Sequence, residues 1–222
     1  MKIKALIAVR SGSQRVENKN IRKFADSNLL TIKIEQLKRI ELLEGIVVNS
    51  NCPEMIHISK ELGVDTVKRD DYYASNIVSM SDVYKNMAEN FPGEYILYAN
   101  VTNPLMKDDT IRKAITVFRQ NASEYDSLNS AHLIKEFLFF ENKPMNYDLL
   151  KQPRSQDLPD IYALNFAVSI ISRENMIKYK NVIGGRPYIF NVDYYEATDI
   201  DHEIDFEIAE YLYIHRGHQN SL

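Results

Sequence analysis

Lys4-Ala5-Leu6-Ile7-Ala8-Val9, with the polar loop Arg10-Ser11-Gly12-Ser13 directly after it, decides the fold of this 222-residue chain. The run 4–9 is short, largely apolar and partly β-branched, which is typical of a strand buried in the middle of a parallel sheet. The loop therefore leaves the carboxyl end of a central strand. Open α/β sheets bind ligands at that edge, because backbone N–H groups of strand ends and helix starts point there into a crevice. We expect an α/β fold with its ligand site at this loop.

The opening loop, residues 9–20, has the composition of a triphosphate cradle. It combines one glycine, two hydroxyl donors and three positive charges, at Gly12, Ser11, Ser13, Arg10, Arg15 and Lys19. Glycine lets the backbone come close to a ligand, and charged donors bind phosphate oxygens strongly. The loop matches neither the Gly-x-x-x-x-Gly-Lys-Ser/Thr pattern nor the Gly-x-Gly-x-x-Gly pattern of other nucleotide sites. A solvated turn is therefore the alternative interpretation.

Composition and charge exclude several classes of protein. Hydrophobic residues make up 45% of the chain and charged residues 26%, as in ordinary globular proteins, and no apolar run approaches the length of a membrane span. The net charge of -4 argues against nucleic acid as a partner, because such binding needs a basic surface. The single cysteine, Cys52, excludes an internal disulfide, and the first residues lead into a strand without a signal peptide. We expect a cytoplasmic protein with small-molecule substrates and no membrane.

Strand-like runs alternate with helical patterns along the first half of the chain. The pattern predicts strands at 46–48, 64–68 and 95–99 and helices at 30–42, 53–62, 81–91 and 108–118. Such alternation is the sequence form of βαβ units, which build a mainly parallel sheet. Further strands are predicted at 167–171 and 188–192 and a last helix at 205–215. Because no linker or repeat interrupts the chain, one domain is expected over 1–222.

The regular alternation breaks between about residues 126 and 160. This stretch contains the predicted strand 128–133, three of the seven prolines and the apolar run Phe137-Leu138-Phe139-Phe140. Exposed apolar side chains of this kind often bind a partner surface. A hairpin packed on the protein's own sheet is an equally acceptable interpretation. We predict an insertion here that serves association between subunits.

Two carboxylates close together near the last predicted helix suggest a metal site. In the extended segment Asp199-Ile200-Asp201, alternate side chains lie on one face, so both carboxylates point the same way. Hard oxygen ligands suit a magnesium ion that is shared with substrate phosphates. The alternative is that these acids cap the helix, whose start attracts negative charge. His202, directly after them, is interpreted as a surface residue rather than a base.

Six segments, in the same order, resemble the acylneuraminate cytidylyltransferases, which activate sialic and related acidic sugars with CMP. The opening loop with Lys19-Asn20 resembles the family's Ala-Arg-x-Gly-Ser-Lys followed by Lys-Asn, and Arg69 matches the arginine of its Arg-Pro-x-x-Leu-Ala segment. The other four segments are Asn100 with Thr102-Asn103-Pro104-Leu105, Arg154-Ser155-Gln156-Asp157-Leu158-Pro159, the strand from Asn165, and Asp199-Ile200-Asp201 through Ala209-Glu210. The resemblance covers nearly the whole chain and implies a three-layer, Rossmann-like nucleotidyltransferase fold.

The resemblance also implies an activity and a role for each matched residue. The anomeric hydroxyl of an acidic sugar would attack the α-phosphorus of CTP, and pyrophosphate would leave. The nucleotide would be bound by Arg10, Ser11, Gly12, Ser13, Arg15, Lys19, Asn20 and Arg69, and the sugar by Asn100, Thr102, Arg154, Gln156 and Asn165. Asp199 and Asp201 would hold Mg²⁺, and Arg10, Lys19 and Asp201 would carry the catalytic charges. A homodimer formed through the insertion is implied as well.

Several positions depart from the family pattern. Gln14 replaces the loop lysine, Asn76 an aspartate, Met106 an arginine, Phe166 a glycine, and Cys52 stands where an aspartate is common. These changes favour one rival hypothesis, a relative that binds a nucleotide or sugar without transferring it. A glycosyltransferase that uses an Asp-x-Asp metal site is a second rival, although that fold usually carries the motif in the middle of the chain. Pyrophosphate release from CTP distinguishes the enzyme from the binding protein.

Overall fold

A seven-stranded, mainly parallel sheet forms the centre of the molecule. The computed structural model describes residues 1–13 and 15–216, so Gln14 lies outside the described residues. The strands are β1 (Ile3–Ala8), β2 (Lys23–Phe24), β3 (Ser27–Asn28), β4 (Ile46–Ser50), β5 (Asp65–Lys68), β6 (Tyr95–Ala99), β7 (Ser127–Ile134), β8 (Phe139–Phe140), β9 (Lys143–Pro144), β10 (Ile161–Ser172) and β11 (Pro187–Asn191). The central sheet has the order β11-β7-β10-β6-β1-β4-β5. Only β10 runs antiparallel to its neighbours in this sheet.

Helices cover both faces of the sheet. They are α1 (Leu29–Lys38), α2 (Pro53–Glu61), α3 (Asp71–Ala74), α4 (Met80–Glu89), α5 (Asp108–Asn121), α6 (Arg173–Tyr179) and α7 (Glu203–Arg216). Alternation along β1 shows the two sides: Ile7 joins a core with α1, α5 and α7, whereas Leu6 joins a second core with α4 and α6. The predicted α/β, three-layer fold is therefore confirmed. Among the described residues, no helix combines the length and the apolar character of a membrane span.

The topology places several strand ends at one edge. Because β1 and β6 are parallel and β10 is antiparallel to both β6 and β7, the carboxyl ends of β1, β6 and β7 share an edge. The opening loop leaves β1 at this edge, as the sequence predicts. Asn100 follows β6 there, and the amino-terminal half of β10 returns beside it, since Ala99 pairs with Val168.

The stretch 126–160 divides into two parts. Its first part is β7, which is a strand of the central sheet rather than an insertion. The remainder, residues 135–160, is here called the apolar segment, and its hairpin β8–β9 is separate from the central sheet. Lys135 joins the two ends of the segment, since its Nζ donates to the Leu158 carbonyl and pairs with Asp160, both at 2.5 Å. The hairpin is therefore not packed as a strand of the protein's own sheet.

Candidate active site

The opening loop is fixed at its base and exposed at its tip. Val9 donates its N–H to the Asn49 carbonyl at 3.1 Å, and the Asn20 amide donates to the Arg10 carbonyl at 3.2 Å. Gly12 has a φ of +79°, a conformation that side chains with a Cβ rarely adopt. The loop therefore turns at a position that requires glycine, and its two ends are held together by Asn20.

Arg10 is bound to a neighbouring loop. Its guanidinium donates to the Ala74 carbonyl at 2.5 Å and to the Asn76 side-chain oxygen at 2.8 Å. Asn76 is one of the positions that depart from the family pattern, and an amide oxygen there still accepts this hydrogen bond. Arg10 therefore connects the opening loop to the segment after α3.

Asn51 and Asp71 belong to the same region and were missed by the sequence analysis. The Ser11 N–H donates to the Asn51 oxygen at 3.2 Å, and the Asn51 amide donates to Asp71 at 3.0 Å. A signal was present, because the polar run Asn49-Ser50-Asn51 directly follows the apolar start of a predicted strand. Polar residues at a strand's carboxyl end are candidates for a site in this fold.

Lys19 brings together two regions that lie far apart in the sequence. Its Nζ donates to the Ile200 carbonyl at 2.5 Å, across 181 positions of the chain. Burial lowers the pKa of Lys19, while the nearby carboxylates of Asp199 and Asp201 raise it and oppose that effect. The structure thus places the predicted nucleotide loop directly against the predicted metal ligands.

Asp199 lies in a segment that we call the acidic strap, residues 192–201. Burial raises the pKa of the Asp199 carboxyl, with a further contribution from Asp201 and an opposing hydrogen bond from the Thr102 side chain. The Oδ1 atom of Asp199 is buried and has no hydrogen-bond partner among the described residues. Unpartnered carboxylate oxygens in a protein interior are costly, and a bound cation satisfies them.

Asp201 and Asp205 have different partners. Asp201 pairs with Arg15 at 2.7 Å, and both side chains are about half exposed. The Asp205 carboxylate accepts the backbone N–H groups of Asp201 at 3.1 Å and His202 at 2.7 Å, at the start of α7. Asp205 thus contributes to the cap of α7, the role that the sequence offers as the alternative for Asp199 and Asp201.

Asn165 and Phe166 form an irregular point in β10, beside Asn100. The Asn165 oxygen accepts from the Ser130 hydroxyl at 2.6 Å and from the Ala167 N–H at 3.1 Å, whereas its buried amide nitrogen has no partner within the described chain. Phe166 has a φ of +53°, at the position where the family pattern has glycine. The register of β10 against β7 shifts between Leu164 and Ser169. This bulge turns Asn165 inward at the ligand-binding edge.

Arg154 and Gln156 lie on the apolar segment. Arg154 pairs with Asp157 at 2.8 Å across a single turn of 3-10 helix, Ser155–Asp157, and both are exposed. Across the ranges 1–13 and 15–216, no hydrogen bond or ion pair joins either residue to the opening loop or to the acidic strap. The structure does not bring these two predicted residues into contact with the others.

Arg69 is buried beneath the opening loop. Its guanidinium donates to the Asn49 side chain at 2.6 Å and to the Asn49 carbonyl at 3.1 Å, and 5% of the residue is exposed. Burial lowers the pKa of Arg69, and the positive charge of Arg10 nearby lowers it further. The guanidinium therefore lies below the loop rather than in open solvent.

Two grooves flank these residues. The larger, of about 490 Å³, is lined by Glu17, Asn18, Ile21, Arg22 and Glu54. The smaller, of about 260 Å³, is lined by Asn51, Pro53, Ile56, His57, Lys60 and Lys68. Within the described part of the chain, no three His, Cys, Asp or Glu side chains gather as a complete metal-binding group. Two carboxylates therefore have to share any bound cation with other ligands.

Comparison with known proteins identifies the family. The model of the cytidylyltransferase family matches residues 4–216. The chain belongs to the cytidylyltransferases. The resemblance found in the sequence is thereby confirmed, and the loop, the strap and the β10 bulge are features of a member of this family.

Relatives of this cytidylyltransferase include proteins of acidic-sugar metabolism. Post-translational flagellin modification protein B of Campylobacter coli is 28% identical, over 93% of this chain and 92% of its own length. CMP-N,N'-diacetyllegionaminic acid synthase of Campylobacter jejuni is 26% identical, also over 93% of this chain and 92% of its own. A solved CMP:2-keto-3-deoxy-manno-octonic acid synthetase complexed with CTP has the same fold, with a TM-score of 0.72 at 11% identity, covering 96% of this chain and 99% of that one.

Proposed function

We propose that this cytidylyltransferase transfers CMP from CTP to the anomeric hydroxyl of a sialic-acid-like acidic sugar and releases pyrophosphate. Relatives named CMP-N,N'-diacetyllegionaminic acid synthase, pseudaminic acid cytidylyltransferase and N-acylneuraminate cytidylyltransferase support the reaction class. The observation that carries the proposal is the contact of Lys19 with the acidic strap, 2.5 Å from Nζ to the Ile200 carbonyl. The contact supports the proposal because a reaction on a metal-bound triphosphate needs a cation beside the carboxylates that hold the metal.

The opening loop binds the triphosphate in this proposal. The phosphates face the backbone N–H groups of residues 11–13 and the hydroxyls of Ser11 and Ser13. Arg10 and Lys19 neutralise the charge of the phosphates. Arg10 leaves Ala74 and Asn76 to do so, since these neutral acceptors bind a guanidinium more weakly than phosphate does. Asn20 holds the two ends of the loop together. Arg69, which binds Asn49 below the loop, is assigned to the side of the site that takes the cytosine base.

Asp199 and Asp201 are the proposed ligands of magnesium. The pair fits this role because Asp199 has a buried oxygen without a partner and Asp201 is accessible. When bound, Mg²⁺ supplies positive charge for the triphosphate. Arg15, now paired with Asp201, would be the residue able to contact phosphate in place of the missing loop lysine at position 14.

The acidic sugar occupies the edge beside β10. Asn100, Thr102 and Asn165 line this side, and the unpartnered amide of Asn165 is a donor for a sugar oxygen. Arg154 and Gln156 are assigned to the sugar carboxylate and hydroxyls, which requires the apolar segment to approach the site in the assembled protein. The sugar hydroxyl loses its proton to solvent water as its oxygen bonds to the α-phosphorus, and the bond from phosphorus to the leaving pyrophosphate oxygen breaks. Positioning and charge neutralisation supply the catalysis, without a covalent intermediate.

Pyrophosphate release tests the proposal. The protein is mixed with CTP, magnesium and a panel of acidic sugars, with each component omitted in turn. Release that needs all three supports transfer. CTP binding by calorimetry without release on any sugar favours the rival, a relative that binds a nucleotide without transferring it; Gln14, Asn76, Met106 and Phe166 are the changes that motivate this rival.

A homodimer through the apolar segment is proposed as the working form. Phe139, Phe140, Leu149 and Leu150 are all more than half exposed, and Leu150 is 93% exposed. Side chains of this size rarely stay in water as a group unless they form an interface. Sedimentation at roughly tens of micromolar should give a dimer, and Phe140→Ser/Leu150→Ser should give a monomer. A wild-type monomer in that range would contradict the proposal.

We place the enzyme in the cytoplasm, where CTP is available.

A further inference from the structure

The loop from Thr102 to Met106 lies between α1 and the acidic strap and forms hydrogen bonds with both. Its residues Asn103, Leu105 and Met106 are buried, between 0% and 4% exposed. Loops normally lie at the surface, because a buried loop needs partners for every backbone N–H and carbonyl. The buried carbonyls of Asn103 and Met106 therefore need donors, and side chains from neighbouring elements supply them.

On one side, α1 supplies these partners through two residues. Lys33 donates from Nζ to the Asn103 carbonyl at 3.1 Å and to the Gln36 oxygen at 2.7 Å. Gln36 in turn donates to the Met106 carbonyl at 2.5 Å and to Asp108 at 3.1 Å. One turn of helix therefore holds the first and last carbonyls of the buried part of the loop.

On the other side, the same loop holds the peptides on both flanks of Asp199. The Asn103 amide donates to the Thr198 carbonyl at 3.0 Å, and the Ile200 N–H donates to the Thr102 carbonyl at 3.0 Å. A displacement of the loop must therefore displace Asp199.

Lys33 is a charged residue with 0% exposure that the proposed reaction does not use. Lysine is almost never fully buried unless its nitrogen has partners. The charged groups that act on it are Asp108 at the start of α5 and Arg39 at the end of α1. Its Nζ is too remote from solvent to contact substrate, so its contacts act through the loop.

We propose that Lys33 is a positioning residue for Asp199: by holding the Asn103 carbonyl it fixes the loop that fixes both flanks of the metal ligand. This inference rests on the proposed function only for the role of Asp199. The contacts themselves predict a mechanical coupling from α1 to the acidic strap that exists with or without substrate.

Hydrogen exchange measures that coupling without any activity. In Lys33→Met the Ile200 amide should exchange about tenfold faster than in wild type, while amides of β1 and β6 change much less. Leu37→Ala is the matched control, because Leu37 is also a buried residue of α1 but belongs to the apolar core. In the control, the Ile200 amide should change no more than the sheet amides. Equal changes at Ile200 in both variants overturn the proposal.

A second variant protects the test against a general loss of folding. Asn103→Ser removes the amide that donates to Thr198 and leaves Lys33 in place. It should reproduce the selective change at Ile200. If the Ile200 amide keeps its wild-type protection in Asn103→Ser, the loop does not hold the strap and the inference is lost.

Magnesium dependence then connects the coupling to the reaction. In the pyrophosphate assay, the magnesium concentration for half-maximal rate should rise about tenfold in Lys33→Met, as is usual when the support of a metal ligand is removed, with a smaller change in KM for the sugar. Leu37→Ala should leave this magnesium concentration unchanged. If Lys33→Met leaves it unchanged as well, the positioning role is overturned. If the wild-type protein releases no pyrophosphate, only the proposed function is contradicted. Hydrogen exchange at Ile200 still tests the coupling between Lys33 and the acidic strap.

Discussion

The acidic strap and the opening loop form the two sides of one site, but they are held in different ways. The strap is fixed by buried contacts: Asn103 binds its Thr198 carbonyl, and the buried carboxylate of Glu196 binds Lys107 and Thr110, both at 3.0 Å. The opening loop is exposed, and its two arginines bind partners that a phosphate can replace, neutral groups for Arg10 and Asp201 for Arg15. The difference teaches that the strap is held in one arrangement, whereas the arginines of the loop have contacts that the triphosphate of the proposed function could replace.

The strongest test of this contrast is Asp199→Asn. Turnover should fall roughly 100-fold or more, because a charge that acts in the transition state is removed. The free energy of unfolding at pH 7 should stay equal or rise, since folding disfavours the ionised form of a carboxyl whose pKa is raised by burial. Pyrophosphate release and urea unfolding measure the two effects.

Ser172→Ala is the control for that test. It removes the side-chain cap of α6, at the opposite end of β10 from Asn165, and should lower stability by about 1 kcal/mol with little effect on turnover. If Asp199→Asn and Asp201→Asn keep near-normal rates and melt earlier, the two acids are structural and the contrast between strap and loop fails.

Loop variants should change affinity instead of geometry. Arg10→Ala and Lys19→Ala should each weaken CTP by roughly ten- to a hundredfold, because each removes a charge-assisted contact of about 1.5–3 kcal/mol. Arg15→Ala should be nearly as harmful as Lys19→Ala, and Gln14→Lys should restore the loss. Calorimetric titration with CTP and magnesium gives these affinities.

Lys23→Ala is the matched control for the loop, since Lys23 is an exposed lysine close in the sequence but outside the loop. It should leave CTP affinity unchanged. No binding at millimolar CTP, in wild type and in Gln14→Lys alike, would leave the catalytic proposal without support.

The support behind the strap should be visible in the pH dependence of stability. Burial lowers the pKa of Lys33 to about 7, from an ordinary value of 10.5. Between these two values the unfolded chain binds more protons than the folded one, so stability should rise with pH, by up to about 1.4 kcal/mol per pH unit. Below pH 7 both states are protonated and this contribution is flat.

Urea unfolding from pH 7.5 to 9.5 measures that slope. Lys33→Met should remove it, and Leu37→Ala should keep it while lowering stability at every pH. Equal slopes in wild type and Lys33→Met would show that the amine is not deprotonated in the folded protein.

The smallest expected effect concerns Phe166, at the sugar side of the site. Its φ of +53° suits glycine, so Phe166→Gly should be about 1 kcal/mol more stable than Phe166→Ala, the reverse of their order at ordinary strand positions. Both variants lose the same ring contacts, and the comparison therefore isolates the backbone. If Phe166→Ala is more stable than Phe166→Gly, the positive φ at position 166 is not a source of strain.

Much of the fold follows from hydrophobic pattern. The predicted strand 95–99 matches β6, and the helix predicted from Asp108 begins there in the structure. The pattern missed α3, which has four residues and no periodicity, and it found only the second half of β10. The polar Asn165 interrupts the apolar run 161–171, so the pattern alone does not show that one strand of twelve residues continues through it.

The candidate site was predictable in its charges but not in its acceptors. Arg10 stands out because it directly follows an apolar run, Lys19 because it belongs to the basic loop, and Asp199 and Asp201 because they form an Asp-x-Asp pair. Their partners include the carbonyls of Ala74 and Ile200, and a backbone carbonyl has no side-chain signature. Lys33 was missed for a related reason, because a lysine on a helical pattern is normally assigned to the solvent face.

The contact between Lys19 and Ile200 also bears on how the protein is made. The two residues are separated by 181 positions, so neither half of the site exists as a binding surface until both have been synthesised and the sheet between them has formed. A growing chain on the ribosome exposes the basic loop long before the carboxylates that complete it. Nucleotide bound to the finished site then stabilises the folded chain over every shorter or partly folded form. CTP therefore binds only chains in which the opening loop and the acidic strap have both folded.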